Sequence, residues 1–189
     1  GWAVAGTCRD EEKRAELAAL GYDIHLFQGD RRLEDTAALE AATHLLSSVP
    51  PGTDGDPVLA RHASDIAVLA GLQWVGYLST TGVYGDRGGD RGGDRGGDRG
   101  DDRDPDGAHG PGSQGPGWVD EESALRPSGP RGERRLAAEQ GWLDLWRDHG
   151  LPVHLFRLAG IYGPGRNALE TVRHGRARRV VKPGQVFGR

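Results

Sequence analysis

The sequence predicts an α/β fold built on a parallel sheet. Three observations carry this. Short apolar runs rich in β-branched and aromatic residues recur along the chain, most are followed by a stretch with helical spacing, and the two patterns alternate instead of segregating into blocks. Strands joined through helices run parallel, and a parallel sheet is expected to be covered on both faces.

The elements follow in order. WAVAGT (2–7) reads as a strand. RDEEKRAELAALG (9–21) continues as a helix, with acidic residues early, Leu17 and Leu20 on one face and Gly21 as a stop. YDIHLFQGD (22–30) is a second strand, LEDTAALEAA (33–42) a short helix, and THLLSSVPP (43–51) a third strand ended by two prolines. DPVLARHASDIAVLAG (56–71) places a proline at the first helical turn and spaces Leu59, Ile66 and Leu69 for a helix. WVGYLSTTGVYG (74–85) is the next strand. Residues 131–149 form a helix expected to present Leu136, Leu143 and Trp146 on one face, and PVHLFRLAGIYGPG (152–165) is the last clear strand.

Residues 86–117 interrupt this order with tandem RGGD repeats that dissolve into DDRDPDGAHGPGSQGPG. Almost nothing there can be buried, so folding could not offset the entropy of ordering it, and a disordered surface loop is expected. Arginine-glycine repeats can bind single-stranded nucleic acid, but each repeat carries an aspartate and no aromatic is interleaved. DRDPDG (102–107) opens like a calcium loop, yet Ser113 stands where the bidentate glutamate belongs. The RGD at 99–101 falls out of the repeat arithmetic. A tolerated insertion at a loop tip is the preferred reading.

Composition narrows the function classes. The 189 residues hold 24 Lys and Arg against 28 Asp and Glu, a formal charge of −4, which does not favour a polyanion, so nucleic acid is not expected as a partner. No apolar run is long enough for a membrane span, and Cys8 has no second cysteine to pair with; a cytoplasmic setting is the expectation, with oligomeric state left open. Methionine is absent even at position 1, and the natural chain is expected to begin earlier. His44 and His154 sit in strands without paired ligand spacing, so packing is expected and no metal site.

GTCRD, QGD, YLSTTGVYGD, PRGERRLAAE and FRLAGIYGPGR occur in one order along the chain. In this order the sequence resembles the extended short-chain dehydrogenase/reductase family, the NAD(P)-dependent epimerase/dehydratase group, closest to its atypical nucleoside-diphosphate-sugar-epimerase-like members. The resemblance implies a Rossmann-like doubly wound sheet, with residues 1–166 as the nucleotide-binding domain and 167–189 opening a substrate-binding region. Aligned this way, the sequence begins at the family's second strand. The family's first strand is central in the order 3-2-1-4-5-6, so two half-sheets with unpaired inner edges are expected, folding poorly on their own.

The resemblance also implies site residues. Thr7, Cys8 and Arg9 stand where relatives carry an acidic residue for the NAD ribose; a hydroxyl beside a guanidinium suits a 2′-phosphate, which implies NADP with NAD as the alternative. Arg9 could equally be a solvated charge. Asp30, helped by the Arg31 amide, matches the adenine-binding aspartate and could also cap a helix. Ser47, Ser48 and Pro50 occupy the strand end that passes the nicotinamide ribose, or simply end a strand. Thr80 matches the hydroxyl that holds the substrate oxygen. Arg131 and Arg135 stand in place of the family's tyrosine and lysine. Arg135 keeps the charge, but Arg131 cannot alternate as acid and base, because a guanidinium titrates above about pH 12; it could hold an anion or face solvent. Tyr84 is the candidate substitute relay, with packing as its alternative role, and Tyr162 lies in the same aligned frame. Gly160 replaces an asparagine that contacts substrate in sugar-nucleotide enzymes. Arg157 keeps its place, and Arg166, Arg178, Arg179 and Lys182 form a basic tail. The reading is an NADP-dependent oxidoreductase-like protein acting on an unknown small molecule, with a non-catalytic NADP(H)-binding sensor as the alternative.

Overall fold

A computed structural model describes residues 1–85 and 119–177. The repeat insertion, with its calcium-loop and RGD readings, and Arg178, Arg179 and Lys182 lie outside the described residues. The chain forms two compact units. One holds Gly1–Thr80 and Glu133–Leu158, the other Thr81–Gly132 and Ala159–Arg189, so the boundary drawn from sequence at residue 166 falls inside the second unit.

Within the first unit the order is β1 (Ala5–Cys8), α1 (Glu11–Ala19), β2 (Asp23–Leu26), α2 (Ala37–Glu40), β3 (His44–Ser47), α3 (Pro57–Ala67), β4 (Trp74–Thr80), the greater part of α4 (Pro130–His149) and β5 (Val153–Leu158). Every strand pair is parallel: β1 pairs β2, and β4 lies between β3 and β5. No strand among the described residues joins the pair to the triplet.

Local chemistry fixes the helix ends. Asp10 caps α1 by accepting the Lys13 amide at 2.7 Å, with Glu11 and Glu12 complementing the dipole of the first turn. The chain leaves α1 through Gly21 at φ 87°, a left-handed conformation that costs glycine little. Asp56 caps α3, accepting from Val58 and Leu59 amides, and Pro57 occupies the first turn, where its missing N–H costs nothing.

The core lies on one face of the triplet. Val75 and Tyr77 of β4 project into it, meeting Ile66 of α3 and Ala138, Trp142 and Leu145 of α4. Trp142 is fully buried, its ring stacked 5.7 Å from that of Tyr77, and its indole N–H donates to the second oxygen of Asp56 at 3.1 Å. A tryptophan so placed is worth about 3–5 kcal/mol against truncation to alanine.

Two expectations need correction. The buried stripe of α4 is Ala138, Glu139, Trp142 and Leu145, whereas Trp146, expected on the inner face, is exposed. The stripe is rotated because it includes a charged residue whose burial is compensated across the sheet. The sheet is also not covered on both faces by the described residues. Alternation along the pleat turns His44, Leu46, Trp74, His154 and Phe156 away from the helical core. There Trp74 stacks with His44 and His154 and lies over Gly76, where a Cβ would collide with the indole. Leu46 and Phe156 on this face are exposed.

Candidate functional site

In an open parallel sheet the carboxyl ends of the strands form the ligand-facing edge, because helix amides and loop side chains converge there. Within the first unit the structure places Thr7, Cys8 and Arg9 at the end of β1, Asp30 and Arg31 just beyond β2, Ser47, Ser48 and Pro50 at the end of β3, and Thr80 at the end of β4. Arg135 lies on α4 in the same unit. Arg131 and Tyr84 belong to the second unit.

The β1 and β2 ends are tied together. The Phe27 amide donates to Cys8 O at 2.8 Å, and Gln28 Nε2 donates to Arg9 O at 3.0 Å. These bonds fix the backbone of Arg9 and leave its exposed guanidinium without a hydrogen bond or ion pair among the described residues. Asp30 is likewise exposed, with no side-chain partner among them, whereas Arg31 pairs with Glu34 at 3.4 Å. Ser47 is buried and its hydroxyl has no hydrogen-bond partner among the described residues, an unmet demand of the kind native interiors seldom leave. Among the described residues this edge carries an unpaired cation after the first strand, an unpaired carboxylate after the second and an unsatisfied hydroxyl at the end of the third.

The end of β4 is braced by two polar clamps from α4. Arg135 Nη1 donates to Leu78 O at 2.8 Å and to Tyr77 Oη at 3.1 Å, and its guanidinium carbon lies 5.6 Å from the Tyr77 ring centre. One turn on, the buried Glu139 carboxylate accepts from Ser79 Oγ and, in a forked pair, from Arg157 Nε at 3.2 Å and Nη2 at 2.8 Å. Tyr77, Leu78 and Ser79 lead directly into Thr80, so both clamps fix the backbone from which that hydroxyl projects. Burial pushes the Tyr77 phenol up to about 12, partly opposed by Arg135.

A second cluster sits beside the β2 loop. His62 is buried on α3; its Nε2 accepts the Leu33 amide at 3.0 Å and its Nδ1 lies 2.8 Å from Asp65 Oδ2. Asp65 also receives Arg32, and both partners hold its carboxyl below the usual range. Reading the chain for apolar periodicity missed the Glu139 and His62 clusters. The one available sign was Glu139 at four residues from Arg135 on the same helix face.

In the second unit a 3₁₀ turn (Thr81–Tyr84) buries Val83 and Tyr84. Gly85 follows at φ 75° against the carbonyl of Arg126, where a Cβ has no room. Arg131 is exposed, as is Tyr162. Tyr162, Arg166, Asn167, Glu170 and Arg176 line an open hollow of about 630 Å³ that contains none of the predicted cofactor residues. Among the described residues no cluster of His, Cys, Asp and Glu could hold a metal, and no helix is long and apolar enough to cross a membrane.

No protein-family model matches the chain, and no curated protein does. Solved structures do. A conserved protein of unknown function from Silicibacter pomeroyi DSS is 39% identical over 99% of this chain and 54% of its own, with a TM-score of 0.72. A UDP-glucuronic acid 4-epimerase from Bacillus cereus in complex with NAD is 15% identical, covering 86% of this chain and 50% of its own at a TM-score of 0.51. A variant of that enzyme with UDP-4-deoxy-4-fluoro-glucuronic acid and NAD is 15% identical, covering 98% and 58% at 0.50. The chain thus spans about half the length of the solved proteins it matches. The similarity shows the fold: a Rossmann-like α/β architecture shared with the Silicibacter pomeroyi protein and the epimerase.

Proposed function

We propose that the chain belongs to an NADP(H)-binding protein of the extended short-chain dehydrogenase type, acting as an oxidoreductase on a small molecule. The observation that carries the reading is the set of strand ends in the first unit, where Arg9 follows β1, Asp30 lies beyond β2, Ser47 ends β3 and Thr80 ends β4. Arg9 would receive the 2′-phosphate through a charge-assisted fork, Asp30 the adenine amino group, and Ser47 and its neighbours the nicotinamide ribose. The nucleotide, when bound, supplies or accepts the hydride. Thr80 would hold a substrate oxygen, its position set by the Arg135 and Glu139 clamps. The solved epimerase relatives carry NAD, and the preference for NADP rests on Arg9.

One observation favours a second reading, a non-catalytic NADP(H)-binding module. Arg135, at the lysine position, is held through Nη1 on Tyr77 Oη and Leu78 O, and the guanidinium of Arg131 stands where relatives have a proton-passing phenol. Titration of the full-length protein with NADPH and NADH, followed by a carbonyl panel monitored for nucleotide oxidation, separates the readings. Turnover supports the oxidoreductase; tight NADPH binding without turnover leaves the module; binding of neither nucleotide removes both.

A further inference from the structure

We infer that His62 is the positioning residue for nucleotide affinity, acting through the loop that carries Asp30 and Arg31; this rests on the function proposed above. The loop leaves β2 through Gly29 at φ 88°, where a Cβ would stand 3.0 Å from Pro57 Cβ, so it is pressed against the first turn of α3. Arg61 of that helix reaches Gly29 O at 3.4 Å. At the far end the Leu33 amide donates to His62 Nε2, and Arg32 pairs with Asp65. Asp30 and Arg31 are thereby held between two anchors on one helix, both exposed at the strand-end edge.

The anchor is specific about a proton. Because Leu33 N–H points at Nε2, that nitrogen must carry a lone pair, so the imidazole proton sits on Nδ1 and is donated to Asp65. A second proton, on Nε2, would set two N–H groups against each other and release Leu33. The groups facing the ring are Asp65 from α3, Arg32 from the loop and the Phe27 ring at 5.7 Å. Asp65 stays paired to Nδ1–H in either state, so it does not itself release the loop. Adenine recognition therefore depends on the Nε2 acceptor, although no atom of His62 needs to touch the nucleotide.

The test uses the full-length protein with His62→Phe, which fills the space without an acceptor, and His62→Gln, whose amide oxygen replaces the Nε2 lone pair and does not titrate. NADPH dissociation constants are measured at pH 8, with hydrogen exchange over residues 29–36 of the unliganded protein. We expect His62→Phe to bind NADPH about tenfold more weakly at pH 8 with faster exchange in the loop, the loss of one buried amide bond. His62→Gln, which keeps an acceptor for the Leu33 amide, should stay near wild type in both affinity and exchange. A folded His62→Phe protein with unchanged affinity, or a His62→Gln protein weakened as much as His62→Phe, overturns the inference alone. A wild-type protein that binds no dinucleotide overturns the proposed function and this inference with it.

Discussion

Replacing Glu139 by alanine should destabilise the first unit far more than a helix-surface substitution would. Glu139 is 1% exposed and accepts hydrogen bonds from Ser79 and, through a fork, from Arg157, whose own side chain is 17% exposed. Breaking a buried ion pair from one side costs about 3–5 kcal/mol, because the remaining charge keeps its desolvation penalty and loses its compensation. The residual solvent contact of Arg157 puts the expected value at the low end, about 3 kcal/mol, or roughly a hundredfold in the folding equilibrium. Glu139→Gln keeps an acceptor for Ser79 and should lose less. Glu139→Leu combined with Arg157→Met should recover much of the loss, since well-packed apolar replacements of a buried pair are often neutral. Urea unfolding followed by tryptophan fluorescence reads this well, because Trp142 lies three residues from Glu139 in the core. A Glu139→Ala unfolding free energy within 1 kcal/mol of wild type, with an unchanged m-value, would refute the view that the clamp is an energetically coupled buried pair.

Three further outcomes are expected. Burial raises the Tyr77 phenol from 10.0 to about 12, so the folded state holds that proton while the unfolded chain releases it; stability should fall by about 2–3 kcal/mol as pH rises from about 10 to about 12, and urea melts of Tyr77→Phe should lack that component. Asp56→Ala removes the α3 cap and the acceptor for the Trp142 indole, costing about 2–3 kcal/mol in thermal or urea unfolding, while Asp56→Asn, which retains an acceptor, should cost about half as much. Arg9→Ala should weaken NADPH binding by about 10- to 100-fold and leave NADH binding unchanged, and equal loss of both nucleotides in a direct titration would remove the 2′-phosphate role.

The sequence by itself determined the order and type of the elements and the residues at the strand ends. Arg9, Asp30, Ser47 and Thr80 were legible because each follows a short apolar run whose end is set by neighbours within a few positions: Gly29 after β2, Pro50 after β3, the 3₁₀ turn after β4. Capping by Asp56 and the stop at Gly21 are equally local. Only the tertiary structure decided which face of α4 is buried and how the end of β4 is held. Apolar periodicity selected Leu136, Leu143 and Trp146, but the buried stripe contains Glu139, whose partners Ser79 and Arg157 lie 60 and 18 residues away. A pattern that counts apolar side chains assigns charged ones to water; a carboxylate goes inside only when distant donors meet it there. The same holds for Arg135, which reaches back 58 residues to Tyr77, and for His62, whose acceptor nitrogen waits for an amide 29 residues earlier. Local sequence set what each segment could be, and long-range polar pairing, which has no period along the chain, set which of its faces could be dry.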